Sequence, residues 1–363
     1  MTELTLYDKI HGCLLGGACG DALGAPVEFV SHEAIVARYG AAGITRFDKA
    51  YGGFGLVTDD TQMTLFTVEG LIRAYVRSTL EGSCHPPTIV HHAYLRWLVT
   101  QDERFEAFAA NERIAGQIDG WLIRDKRLWA ARAPGRTCLS ALRAARGSRE
   151  FGGKATNNSK GCGTVMRDAP IGLFRFDDPS IAFEWAVETA QTTHGHPSAW
   201  FSSGALAVII AHIVRGESLA DAAGHALATL QDRAEAGEVR DALRRAVELS
   251  RVPDWRRRLP ELGQGWVAEE ALAISVLCAL AAEDAREAII AAVNHSGDSD
   301  STGAITGNIV GAIGGVHSLP TEGTEQVELR DVIETLSRDL TAIVNGADDD
   351  GLAERLSDRY PGW

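Results

Sequence analysis

The run Gly297-Asp298-Ser299-Asp300-Ser301-Thr302-Gly303 sets two carboxylates two residues apart, with hydroxyls between and after them. Aspartate is poor inside a helix and good in loops and N-caps. Asp298 to Ser301 are therefore expected on a turn entering a helix that begins near Thr302. Residues two apart do not face each other on a helix, whereas a tight turn can aim both carboxylates at one point. Hard divalent cations take such oxygen ligands. The ordinary reading of Asp-x-Asp-Ser alone is a capping turn. A second acidic stretch lies far upstream, where Gly52-Gly53-Phe54-Gly55-Leu56-Val57 leads into Thr58-Asp59-Asp60-Thr61-Gln62-Met63. Adjacent like charges repel. A helix N-terminus favours each by only ~0.3–1 kcal/mol, and a bound cation would favour them more. Together the stretches offer Thr58, Asp59, Asp60, Asp298, Asp300 and Ser301, all oxygen donors. That set suits two Mg²⁺ or Mn²⁺ ions better than zinc, which favours His and Cys.

The elements that must position these groups read as helices. Gly12, Gly16, Gly20 and Gly24 recur every fourth residue in the segment Ile10 to Val30, and Gly303, Gly307, Gly311 and Gly315 repeat the pattern after the second acidic stretch. Each interior glycine costs ~1 kcal/mol against alanine, so a stripe of them implies close backbone approach. Both helices are expected to be central and buried, packed closely on their neighbours or on each other. Further helices are expected over 64–80, 89–100, 111–129, 137–146, 180–192, 198–215, 219–230, 238–249, 266–282, 285–293 and 327–344, from apolar spacing near 3.6. Ser31 to Val57 and Gly147 to Asp168 read as irregular. Strand-like alternation is scarce, and no linker, repeat or low-complexity run divides the chain. The expected fold is all-α, one compact multi-helix bundle over residues 1–363.

Composition sets outer bounds. The chain has 363 residues, is 45% hydrophobic and carries a formal charge of −14. That charge argues against nucleic acid or an anionic membrane as the main partner. Cys13, Cys19, Cys84, Cys138, Cys162 and Cys278 are scattered without a CxxC, as expected of reduced thiols in a cytoplasmic protein. No apolar run of about twenty residues is evident, so no membrane span is expected. Among single residues, Asp21 in the first glycine stripe reads as buried and structural, His194-Gly195-His196 as a polar helix-end turn, and His91-His92 as solvated surface. Trp121, Trp129, Tyr94 and Trp97 read as core or rim. Cys162, between two glycines, has no identifiable histidine partner to make it a nucleophile.

Five segments in order, residues 16–28, 58–63, 159–167, Thr193-His194 and 297–303, resemble the ADP-ribosylglycohydrolase family, which includes the dinitrogenase reductase-activating glycohydrolase and the ADP-ribosylarginine and ADP-ribosylserine hydrolases. The resemblance implies an all-α fold with a binuclear Mg²⁺ or Mn²⁺ centre at the bottom of an ADP-ribose cleft, and hydrolysis of the bond between ribose C1″ and a protein side chain. ADP-ribosylated protein is then the substrate and ADP-ribose the product. Thr58, Asp59, Asp60, Asp298, Asp300 and Ser301 match the family's metal ligands, and Glu28 an acidic residue on a mobile loop. Ser159, Lys160, Gly161, Cys162 and Gly163 match the segment that holds the diphosphate and ribose, and His194 a histidine lining the cleft. Glu28, Asp59 and Asp60 are each candidates for the base that activates water. Ser301, where some members carry threonine, leans towards the arginine-specific branch. Serine-linked ADP-ribose, O-acetyl-ADP-ribose and a non-catalytic ADP-ribose-binding module are the rival readings; a two-metal phosphoryl hydrolase fits the carboxylates but not the full motif set.

Overall fold

A computed structural model describes residues 4–106, 119–146, 153–346 and 351–361. Its helices include α1 (Leu6–Gly24), α2 (His32–Tyr39), α3 (Asp59–Glu81), α4 (Pro86–Asp102), α5 (Arg136–Arg146), α6 (Ala169–Phe174), α7 (Pro179–Gln191), α8 (Pro197–Val214), α9 (Leu219–Gln231), α10 (Gly237–Leu249), α11 (Ala268–Ala281), α12 (Ala285–Val293), α13 (Ser299–Gly314), α14 (Arg330–Val344) and α15 (Leu352–Ser357). The sheet content among the described residues is one hairpin pairing Lys49–Ala50 with Gly53–Phe54. The fold is all-α, as expected.

The two glycine stripes meet. A Cβ added at Gly12, Gly16 or Gly20 would lie closer than 3 Å to the carbonyl oxygen of Gly311, Gly307 or Gly303 respectively, and one at Gly24 would strike Ser299. Positions rise along α1 as they fall along α13, so the helices run antiparallel in backbone contact. Only residues without side chains permit that approach. Asn308 fastens the pair further, donating from Nδ2 to the Cys13 carbonyl at 2.8 Å. The register has a functional result. It brings the C-terminal end of α1, and the loop carrying Glu28, beside the N-terminal end of α13, where Asp298 and Asp300 stand.

Two helix starts differ from expectation for the same reason. Helix α13 begins at Ser299 rather than near Thr302, and α3 at Asp59 rather than Thr64. In both, the first turn is polar because it faces the site rather than the apolar core, so apolar spacing could not mark it. Residues 31–57 contain α2, capped by Ser31. Much of the helix expected over 111–129 lies outside the described residues; residues 122–124 and 126–128 form short 3₁₀ turns. Helix α15 was not anticipated. Pro197–Val214 is long and apolar enough to cross a membrane by composition, although no such run was expected, yet it is largely buried in the core. His91 is buried rather than solvated, and burial lowers its pKa to about 4.

Candidate active site

Asp59 and Asp60 open α3, and Thr58 is its N-cap, its hydroxyl accepting from the Asp60 amide at 3.4 Å. A hydroxyl cap is the ordinary way to start a helix, and here it uses only the threonine. Asp21, fully buried on α1, holds the turn in place: its carboxylate accepts from the amides of Thr58 (3.0 Å) and Thr61 (3.2 Å) and from the Thr61 hydroxyl. Asp21 is thus the structural residue expected. Beneath the same turn, Arg132 donates to the Val57 carbonyl at 2.7 Å and pairs with Glu328, which also accepts from the Val57 amide. Gly135 donates its amide to Asp59 Oδ2 at 3.0 Å. These braces come from distant segments and were not foreseen.

Asp298 occupies the N-cap position of α13, yet its side chain makes no capping bond. Its carboxylate instead accepts from the Cys162 thiol at 2.7 Å. One oxygen each from Glu28, Asp298 and Asp300 lies within 4.8 Å of the others. Asp59 and Asp60 line the same cleft, of about 460 Å³, together with Ser301, Gly161, Cys162, Gly163 and His194. Thr58 lies directly behind Asp60, its hydroxyl 3.4 Å from Asp60 Oδ2. The structure therefore gathers both acidic stretches and Glu28 at one place.

Burial sets the electrostatics. It pushes Asp59, Asp60 and Asp298 well above the usual carboxylate range, and the Asp300 charge pushes them further. Burial likewise raises Asp300 itself, takes Asp21 up to about 7 and, with Asp300 and Asp298 adding to it, takes Glu28 up to about 11. Such a cluster is costly to ionise without a counter-charge. Asp60 Oδ1 and Glu28 Oε2 are buried with no hydrogen-bond partner among the described residues. Buried polar atoms are ordinarily partnered. An all-oxygen donor set with orphaned carboxylate oxygens fits hard divalent cations, which would supply the missing partner.

The glycine loop divides. Gly161, Cys162 and Gly163 face the cleft; Ser159 and Lys160 do not line it. Ser159 Oγ instead lies 3.0 Å from Thr137 Oγ1, and Lys160 pairs with Glu238 (2.8 Å) and Glu269. Lys160 points to partners outside the cleft because Gly161 pairs in antiparallel fashion with Val267, which sets the Lys160 backbone against Ala268. Asn157 secures the loop, accepting from the Ser159 and Gly195 amides through Oδ1 and donating to the Thr193 carbonyl. His194 lies in the turn after α7, and burial, then Arg167, lowers its pKa to about 3, so its ring is neutral. Its Nδ1 meets Thr193 Oγ1 at 2.9 Å. Burial and the nearby Asp298 raise Cys162 well above the thiol range; a protonated thiol is a poor nucleophile. The aromatics at the cleft are Phe29 and Trp266, stacked with ring centroids 5.2 Å apart and planes 20° apart. The left-handed φ of 65° at Phe29 presents its ring outward. Neither was singled out in the sequence: Phe29 follows Glu28 in an apparently featureless turn, and Trp266 was assigned to the helix that begins two residues later.

Residues 2–350 match the family model described as ADP-ribosylglycohydrolase. The chain is 25% identical over 340 residues to the ADP-ribosyl-[dinitrogen reductase] glycohydrolase of Rhodospirillum rubrum, covering 91% of this chain and 94% of that protein. It is 24% identical over 345 residues to the ADP-ribosylarginine hydrolase Tri1 of Pseudomonas putida, covering 94% and 80%. An uncharacterized protein of Archaeoglobus fulgidus is 28% identical over 342 residues, covering 92% and 96%. In fold, the chain is similar to a solved ADP-ribosylglycohydrolase-related protein complex, with a TM-score of 0.66 at 23% identity, covering 93% of this chain and 99% of that one.

Proposed function

Because this chain belongs to the ADP-ribosylglycohydrolase family, hydrolases of ADP-ribosyl linkages, we propose that it removes ADP-ribose from modified arginine side chains at a centre of two Mg²⁺ or Mn²⁺ ions. The observation that carries this reading is the meeting of Glu28, Asp298 and Asp300 oxygens in a cleft also lined by Asp59 and Asp60, with buried carboxylate oxygens left unpartnered. The arginine acceptor is supported by a relative named for that activity and by Ser301. A cytoplasmic setting, with an ADP-ribosylated protein as partner, goes with this reading.

Thr58, Asp59, Asp60, Asp298, Asp300 and Ser301 would hold the ions. When bound, these ions orient the ribose hydroxyls and lower the pKa of water. The chain's own groups do the rest. Water attacks C1″, the C1″–N bond breaks, its electron pair stays on the guanidine nitrogen, and the proton the water gives up ends on that nitrogen. Glu28 would carry the proton of the attacking water once bound ions offset the burial and neighbouring negative charge that keep it protonated. Its Oε2 and Asp60 Oδ1 are both unpartnered, but Asp60 is given to the ions and Asp59 is engaged by Gly135. Gly161 to Gly163 line the cleft where the diphosphate would lie. The Gly161 amide donates to Ser159 Oγ at 3.3 Å and the Cys162 amide to the Trp266 carbonyl at 3.2 Å, so the loop supplies room rather than a full anion cradle. His194, neutral and fixed by Thr193, lines the wall without adding charge. Cys162 acts as a hydrogen-bond donor to Asp298 rather than as a nucleophile.

The test is release of ADP-ribose from arginine-linked and serine-linked substrates in Mg²⁺, Mn²⁺ and EDTA. Metal-dependent release from the arginine substrate alone is expected. Release from serine alone would overturn the acceptor. Tight ADP-ribose binding without release from either would make the protein a binding module.

A further inference from the structure

An ADP-ribosyl substrate brings a diphosphate, with two negative charges, into a cleft lined by five carboxylates: Glu28, Asp59, Asp60, Asp298 and Asp300. Two divalent ions would leave that wall one charge negative. The diphosphate therefore needs a further cation. The sequence offered Lys160, but Lys160 is committed to Glu238 and Glu269 outside the cleft. Arg132 is paired with Glu328. Arg167 is fully buried, donating to the Thr193 hydroxyl at 2.7 Å and lying over the Tyr94 ring.

Among the described residues that line the cleft, Arg136 is the only lysine or arginine. It is exposed, and it has no carboxylate partner among the described residues. It opens α5. The preceding Gly135 is tied to Asp59, so the backbone that carries Arg136 is fixed to the acidic centre. The following Thr137 is tied to Ser159, at the start of the glycine loop. We infer that Arg136 is the residue that binds the substrate diphosphate by charge. A guanidinium suits this role because its fork of donors matches two phosphate oxygens at once. The inference rests on the ADP-ribosyl hydrolase reading given above, and it replaces Lys160 with Arg136 as the cationic part of that site.

The test is steady-state hydrolysis of free ADP-ribosylarginine, a small substrate with no protein surface, by the Mg²⁺-loaded enzyme and by Arg136→Ala, Arg136→Lys and Arg136→Glu. An exposed side chain can be replaced with little risk to folding, and thermal unfolding of each variant checks this. KM is expected to rise about tenfold in Arg136→Ala, the size of one lost charged hydrogen bond, with kcat nearly unchanged. Arg136→Lys should recover part of the loss and Arg136→Glu should exceed it. The KM of the unaltered enzyme should rise with salt, and that of Arg136→Ala should rise less steeply. If the unaltered enzyme turns over while all three variants keep its KM, the role of Arg136 is overturned and the hydrolase reading stands. If the unaltered enzyme releases no ADP-ribose, the hydrolase reading itself fails, and this inference with it.

Discussion

At the scale of single residues, the site is a concentration of buried carboxyl groups that resist ionisation without a counter-charge. Asp60 and Asp300 answer to different elements and converge only in the fold. Asp60→Ala and Asp300→Ala are each expected to lower turnover by at least ~10³-fold, as loss of a preorganised charged group does, while the far-ultraviolet circular dichroism stays helical. Near-normal turnover in either variant would sink the metal-ligand assignment. That both aspartates could share one site was readable from their motifs, and the family resemblance added Glu28 and His194; the structure lines one cleft with all four. The Arg132–Glu328 brace was not readable, since its partners are far apart in sequence and neither belongs to a motif. Lys160 shows the converse limit. A lysine in a phosphate-like loop looks like a ligand until two glutamates from α10 and α11 claim it.

At the scale of elements, the pairing of α1 with α13 positions the chemistry. The glycine stripes announced a close approach, and the only open point was which helices approached which. The paired glycines should be intolerant of even one methyl group. Gly16→Ala gains ~1 kcal/mol of helix propensity, but it drives a Cβ into the Gly307 carbonyl, and such overpacking costs ~1–3 kcal/mol or more. A net loss of stability in urea unfolding is expected. Gly224 is the control, because it lies within α9 with nothing near an added Cβ, so Gly224→Ala should stabilise by up to ~1 kcal/mol. Equal effects at both positions would mean that the helices can spread apart at little cost. The starts of α3 and α13 were misplaced for a related reason: an element's end that faces a polar cleft carries no apolar periodicity.

At the scale of the whole molecule, the acidic cluster couples stability to pH and to cations. Asp21 at about 7 and Glu28 at about 11 are raised above their unfolded values. For such groups the folded state binds the proton more tightly, so stability is full below the unfolded pKa and falls as pH rises towards the folded one. In EDTA, Tm should therefore decline between pH 6 and pH 8. Cations compete with those protons, so the rise in Tm on adding Mg²⁺ should be larger at pH 8 than at pH 6, and it should grow with Mg²⁺ concentration. A Mg²⁺ effect independent of pH would contradict the proposed occupancy of this cluster.

The backbone contact between α1 and α13 also bears on how the protein is made. Helix α1 leaves the ribosome long before α13. Until then α1 carries a furrow of bare peptide groups with no side chains to shield it. Contacts between such distant segments form slowly, because a long loop must close first. A chain halted before α13 would therefore hold neither the furrow's cover nor Asp298 and Asp300. The site is thus incomplete until α13 docks against α1.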